Sequence, residues 1–385
     1  MAEPVNTPMP PGTPISATPR SGSPAPPLPP VSAASLSLTK PVVLHIGDAV
    51  KYNPDTFRLF SSLFTVVQPS AAERQRPEFI RALTERRWGD FAAIFRPFWG
   101  TGGEMGQWDE ELISLLPPSV RVFASAGAGF DWADTKSLAK RGIVYCNGGL
   151  AAAEAVADFA VAMIISTFRA LPYSISSASS GDSQQFQTCH ETATAHSRNL
   201  RSQTLGLVGL GNIGQQIARR MGSGFGMNIL YYDVERKADE LEARFGARFC
   251  TNLEELCTAS DCVVLCAPSG SGGPLIDERS LRWFKSGSRL VNVARGSLID
   301  EEALADALEQ GKLSSIALDV HSDEPRIHER LRAFTGDRAL LTCHNAGGTI
   351  ETHVGFEELA MRNIMSVLSG KEPITPVNIH WLKID

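Results

Sequence analysis

The sequence predicts an α/β protein built from two doubly wound parallel-sheet domains, and three observations carry that expectation. Short apolar runs alternate with amphipathic stretches from Pro41 onward, the grammar of a parallel sheet covered by helices on both faces. The alternation comes in two series, separated by the polar stretch SSASSGDSQQFQTCHETATAHSRN at residues 176–199. The length, 385 residues, suits two domains of ordinary size better than one.

In the first series, VVLHIG, FTVVQP, FAAIFRP, VRVFASAG and IVYCNG read as strands. DTFRLFSSLF, PEFIRALTERR, WDEELISLL and TKSLAKRG read as the helices between them, the last stopped by Gly142. A longer helix is expected from Ala153 to Leu171; its second half is apolar nearly all round, which suits burial between layers or subunits. Residues 176–199 then read as an irregular arm or lid that holds His190 and His196.

In the second series the strands are TLGLVGL, MNILYYD, DCVVLCAP, SRLVNVAR, SSIALDV and ALLTCH. The helices are NIGQQIARRM, ERKADELEARFG, NLEELCTA, ERSLRWFK and EEALADALEQG. Thr251 and Glu254 have capping-box spacing, Asp300 is placed to cap a helix start, and Gly311 to end that helix. IETHVGFEELAMRNIMSVLSG closes the chain as one more long helix before a short tail.

Composition narrows the function. A net charge of −6 argues against a nucleic-acid or anionic-membrane partner. The longest apolar candidate, Phe159 to Phe168, falls short of the roughly 18 residues of a membrane span. Seven scattered cysteines, without CxxC or Cys/His spacing, imply reduced thiols, no metal site and a cytoplasmic setting. The first 40 residues are rich in Pro, Ser and Thr, cannot bury enough apolar surface to offset ordering entropy, and read as a disordered tail.

Gly209, Gly211 and Gly214 form a GxGxxG pattern between a strand and a helix. The first glycine permits a tight turn, the second lets a pyrophosphate approach the backbone, and the third lets helix and strand pack closely. The helix start at Asn212 and Ile213 offers N–H groups to phosphate. Asp233 ends the next strand, 19 residues after Gly214; an acid there binds ribose hydroxyls and repels a 2'-phosphate. The cofactor expected is NAD rather than NADP, although Arg236 and Lys237 lie close enough to meet a 2'-phosphate. Ala267, Pro268, Val293, Ala294, Arg295, Asp319, His344 and Gly347 complete the expected cofactor contacts.

Three further strand ends carry chemistry. SRLVNVAR delivers Arg295, whose guanidinium suits a carboxylate gripped by two parallel hydrogen bonds. SSIALDV delivers Asp319, with Glu324 following, and ALLTCH delivers His344. A dinucleotide cofactor beside Arg295, Glu324 and His344 fits hydride exchange with a 2-oxo acid. Arg295 would hold the carboxylate, and His344, oriented by Glu324, would serve as proton donor and acceptor.

These motifs, in this order, resemble the D-isomer-specific 2-hydroxyacid dehydrogenase family from about Pro41 to the carboxyl terminus. The resemblance rests on Asn292–Gly296 (NxARG), Asp319–Pro325 (DVxxxEP), His344–Gly347 (HxxG) and AGAGFD. AAIFRPFWGTG and RSQTLGLVGLGNIG are most similar to the D-mandelate dehydrogenase branch. The resemblance implies a Rossmann NAD-binding domain at 149–345, inserted into a flavodoxin-like substrate domain made of 41–148 and 346–385. It also implies Asp319 beside the nicotinamide amide, substrate contacts from Ala128, Gly129, Phe98 and Trp99, and a homodimer. Two alternatives stay open: a glyoxylate or hydroxypyruvate reductase, and a non-catalytic NAD-sensing scaffold similar to the C-terminal binding protein corepressors. The chain departs from the family pattern at Gly148-Gly149, His321, Cys343 and Asn345.

Overall fold

The computed structural model describes residues 40–98, 100–269 and 272–382. The expected disordered tail, 1–40, therefore lies outside the described residues apart from Lys40.

Two sheets form, and every ladder in them is parallel. The first holds β1 (Val42–His45), β2 (Thr65–Val67), β3 (Ala93–Arg96), β4 (Val122–Ser125) and β5 (Val144–Cys146), in the order β2-β1-β3-β4-β5. The second holds β6 (Thr204–Val208), β7 (Asn228–Tyr232), β8 (Ala247–Phe249), β9 (Cys262–Leu265), β10 (Ser288–Asn292), β11 (Leu313–Leu318) and β12 (Ala339–Leu341). Its order is β12-β11-β10-β9-β6-β7-β8. Strand order reverses between β1 and β3 in one sheet and between β6 and β9 in the other, and loops diverging at such a point leave a crevice. β3, β4, β9 and β10 are buried at every residue, as their continuous apolar runs demand.

Two long helices join the sheets. The Gly149–Phe168 helix packs on β10, β11 and the Asn212–Arg219 helix. The Ile350–Leu368 helix returns the chain to the first sheet, where Ala360, Met361 and Ile364 share a core with Val43, Phe95, Val122 and Ala124. Polar locks hold this return. The buried Glu357 carboxylate accepts from the backbone N–H groups of Lys51, Tyr52 and Asn53. The fully buried Asn378 accepts from Tyr145 N–H and donates to the carbonyls of Thr135 and Ile143.

Several local expectations need correction. The connecting helix spans Gly149–Phe168 rather than 153–171, because Ala170 turns left-handed and Pro172 opens the next helix. That helix has the length and composition to cross a membrane, contrary to the sequence reading, yet half of it is buried in the protein core. Residues 176–199 are not irregular. They belong to a hairpin of two helices, Leu171–Ser179 and Ser183–His196, the second capped by Asp182, so His190 and His196 are helical. The expected cap at Thr251 is off by one: Asn252 caps Glu255 N–H, and Glu255 reaches back to Thr251 N–H. β8, a three-residue edge strand, has no counterpart in the reading, and the helix before it starts only at Asp239. Asp300 caps its helix as expected. All seven cysteines are free, and five are buried.

One buried group gives a pH signature. His45 is 1% exposed, and its Nε2 lies 2.8 Å from the Asp48 carbonyl. Burial, aided by the charge of Arg74, lowers its pKa from 6.5 to about 4. The folded chain thus keeps this imidazole neutral, while the unfolded chain protonates it near pH 6.5. Stability is expected to fall between about pH 6.5 and pH 4, by up to about 3 kcal/mol from this group. Chemical denaturation of wild type and His45→Leu at pH 7.5 and 4.5 checks this; equal losses in both would remove His45 as the cause.

Candidate active site

The carboxyl ends of both sheets open onto one cavity of about 440 Å³. Gly211, Asn212 and Ile213 enter it after β6, Ala267 and Pro268 after β9, and Val293, Ala294 and Arg295 after β10. Asp319, His344 and Gly347 follow β11 and β12, while Ala128 and Gly129 come from the first sheet. Gly209, Gly214, Asp233 and Glu324 stand behind the lining.

The three glycines meet the demands of a dinucleotide. Gly209 adopts φ 101°, and a side chain there would crowd Ala267 across the switch point. At Gly214 a Cβ would lie 2.3 Å from the Gly209 carbonyl, so only glycine lets helix and strand touch. At Gly211 a Cβ would meet nothing within 4 Å; its space opens at the start of the Asn212–Arg219 helix, where a pyrophosphate would approach the backbone. Asp233 Oδ2 accepts from Leu210 N–H at 2.9 Å and pairs with Lys237 Nζ at 3.0 Å, which fixes the carboxylate at the end of β7. Arg236 is engaged by Asp239 and Glu242 instead. Cys266 also lines the cavity. Burial pushes its thiol up to about 12, and its Sγ lies 3.1 Å from the Gly209 carbonyl.

β10 ends at Asn292, three residues before Arg295. Asn292 builds the turn between them: its side chain donates to the Arg295 carbonyl and accepts from Ala294 N–H. Gly296 is required because its Cα abuts the His321 backbone, where a Cβ would sit 1.9 Å from the carbonyl carbon. The Arg295 guanidinium donates Nε to Asp131 Oδ1 at 2.9 Å and Nη1 to the Ala294 carbonyl at 2.7 Å. Its Nη2 lies over Gly129, so close that a Cβ would fall 1.2 Å from it. Only a residue without a side chain at Gly129 leaves room for this end of the guanidinium.

His344 Nδ1 lies 2.9 Å from Glu324 Oε2. An ionised carboxylate only accepts, so Nδ1 carries the proton. Glu324 Oε1 accepts from His321 N–H at 3.0 Å. Burial alone would raise the Glu324 pKa; the hydrogen bonds from His344 and His321 outweigh it and hold the carboxyl below its ordinary range. His344 sits at φ 53°, a left-handed conformation costly for a side-chain-bearing residue and typical of functional sites. Asp319 enforces it. That carboxylate, 1% exposed, accepts from Thr342 Oγ1 and from the N–H groups of Asn345 and Ala346, while the Asp319 carbonyl accepts from His344 N–H. His321 turns away and places Nε2 2.9 Å from the Thr342 carbonyl.

Comparison with known proteins matches this frame. The description "D-isomer specific 2-hydroxyacid dehydrogenase, NAD binding domain" fits residues 161–346. Glyoxylate reductase of Thermococcus kodakarensis is 35% identical over 277 residues, 72% of this chain and 81% of its own. The 4-methyl-2-oxopentanoate reductase A of Aspergillus oryzae is 32% identical over 88% of this chain and 98% of its own. The holo structure of Rhodotorula graminis D-mandelate dehydrogenase superposes with a TM-score of 0.84 at 40% identity, covering 88% of this chain and 98% of that one. The chain belongs to the D-isomer specific 2-hydroxyacid dehydrogenase family.

In this 2-hydroxyacid dehydrogenase the sequence reading overreaches at one place and stops short at others. Phe98 does not line the cavity; its ring stacks on His353, centroids 4.8 Å apart. Trp99 lies outside the described residues. Asp131, the fixed partner of Arg295, stands in the quoted AGAGFD motif, and its acidic side chain was the available signal. Arg96 lines the cavity at the end of β3 with its guanidinium 4.5 Å above the Trp132 ring, and burial draws its pKa below the ordinary value. An arginine ending a buried strand was its signal, the one that drew notice to Arg295. Phe130, Trp132 and Phe356 supply the aromatic wall that Phe98 does not.

Proposed function

We propose that this chain interconverts a small 2-oxo acid and its D-2-hydroxy acid with NAD, in a cleft between a Rossmann domain at 149–345 and a substrate domain made of 41–148 and 346–385. The observation that carries the proposal is the His344–Glu324 hydrogen bond on the same cavity as Arg295 and the glycine turn. A nicotinamide dinucleotide held at Gly209–Gly214 would supply or accept the hydride. Arg295, fixed through Nε, presents Nη2 beside Gly129 for the substrate carboxylate. The backbone at Ala128 and Gly129 lines the cavity beside that grip. His344, with Nδ1–H committed to Glu324, exchanges a proton at Nε2 with the substrate oxygen. Glu324 fixes the orientation of the ring through that hydrogen bond. Asp319 shapes the turn that carries His344 and lines the cavity beside the expected nicotinamide position.

Aromatic lining by Phe130, Trp132 and Phe356 supports a substrate larger than glyoxylate, in line with the relatives named for mandelate and 4-methyl-2-oxopentanoate. NADH oxidation with glyoxylate, hydroxypyruvate, benzoylformate and 2-oxoisocaproate tests this. The highest kcat/KM is expected for one of the last two. A best rate on glyoxylate or hydroxypyruvate overturns the size argument, and cofactor binding without turnover on any of the four overturns the enzyme reading.

The fixed acid at Asp233 supports NAD over NADP. Asp233→Ser is expected to lower the preference for NADH over NADPH at least about tenfold, since Lys237 would then face a 2'-phosphate unopposed. Equal use of both cofactors by the wild type would defeat the assignment. Ile175 and Phe186, 61% and 58% exposed on the helical hairpin, support a homodimer. The free thiols support a cytoplasmic setting.

A further inference from the structure

Another cavity, of about 360 Å³, opens at the opposite edge of the seven-stranded sheet, where β9, β10 and β11 begin. Arg198, Lys285 and Arg289 line it together with Asp261 and the serines 286, 288 and 314. Arg289, on β10, is 5% exposed. Its guanidinium lies 4.1 Å above the Phe168 ring, donates Nε to the Thr167 carbonyl at 3.1 Å and reaches the Gly287 carbonyl at 3.4 Å. Among the described residues no carboxylate forms an ion pair with it. Burial opposes the Arg289 charge most, the nearby Arg198 charge opposes it too, and the Asp261 charge favours it. Among the described residues the Arg198 guanidinium donates to the carbonyls of Ala195 and Ser197. Asp261, the one acid among the described lining residues, already holds Lys285 Nζ at 2.8 Å and Thr204 N–H at 2.8 Å. Ser288 Oγ is buried with no partner among the described residues.

Two guanidinium groups and an ammonium share this cavity with one carboxylate, Asp261, among the described lining residues, so positive charge is in excess, and a guanidinium as buried as Arg289 is costly to leave without an ion pair. An oxyanion between them relieves the repulsion and meets both forks with charge-assisted hydrogen bonds. We propose that this cavity is an anion site, separate from the active site, that binds a ligand of phosphate chemistry through Arg198, Arg289 and Lys285. Such a ligand braces two elements that reach the active site. β10 leads on to Arg295, and the helix that ends at Thr167 and Phe168 begins at Gly149, in the active-site lining. The inference stands apart from the 2-oxo acid reading.

The test is calorimetric titration and thermal unfolding of the full chain, saturated with NADH so that the glycine turn is filled. Inorganic phosphate, pyrophosphate and adenosine 5'-monophosphate are compared with KCl at equal ionic strength. Phosphate ligands are expected to raise Tm with concentration beyond the KCl baseline. Tighter binding of the nucleotide than of phosphate would identify a nucleotide ligand; equal affinity would identify the free ion. Arg198→Ser/Lys285→Ser, which alters exposed side chains away from the active site, is expected to weaken binding at least tenfold while 2-oxo acid turnover is unchanged. Arg289→Met should abolish binding. No response beyond KCl, or an undiminished response in the double variant, overturns the proposal. So does a change of oligomeric state in the double variant without any phosphate response in wild type, because a second copy would then fill the cavity.

Discussion

His344→Ala is expected to lower kcat for 2-oxo acid reduction by about two to four orders of magnitude, the usual share of a positioned general acid, with little change in NADH binding. The sign with pH follows from the proton's direction. Reduction draws on the imidazolium, so it should decline as pH rises. Oxidation draws on the neutral ring, so it should decline as pH falls. Glu324 is held below its ordinary 4.5 by hydrogen bonds that outweigh its burial, so it stays ionised and neither decline belongs to it. Single-turnover kinetics from pH 5 to 10 in both directions separate these limbs. A His344→Ala enzyme that keeps wild-type kcat, or identical profiles in the two directions, would remove the imidazole from the reaction.

The second large effect is expected at Arg295. Arg295→Leu should reduce kcat/KM for 2-oxo acids by about two to three orders of magnitude, since charged hydrogen bonds of about 1.5–3 kcal/mol each are lost. Arg295→Lys should recover only part, because an ammonium lacks the planar fork. The loss is expected mainly in KM if the grip is equal in ground and transition states, and in kcat if it tightens during reaction. NADH affinity, measured by fluorescence, should hold. A parallel collapse of NADH affinity would show that the side chain supports the cofactor turn rather than the substrate.

Much of this frame was readable before any coordinates, and the residues show why. Buried parallel strands leave continuous apolar runs, and backbone crowding leaves glycines. Gly209, Gly214 and Gly296 each stand where a Cβ would collide with backbone or press tightly against it. Arg295, Glu324 and His344 were visible as polar residues at the ends of apolar strands. The helical hairpin was not, because Ser183–His196 is largely exposed and polar, and little but the Asp182 cap and tertiary contact reports it. β8 was missed because three residues on a sheet edge carry no period. Phe98 packs on a histidine ring, and sequence cannot tell that place from one facing a ligand, because an aromatic residue looks the same in both.

The return of the Ile350–Leu368 helix to the first sheet sets an order of events at the ribosome. β5 is complete at Cys146, but the apolar side chains that cover one face of its sheet, Ala360 to Ile364, emerge about 200 residues later, roughly ten to forty seconds at ordinary translation speeds. During that interval every strand of the second sheet is made. The half of the molecule that is synthesised first is therefore the half that finishes last, and its bare face is what the nascent chain must keep from sticking.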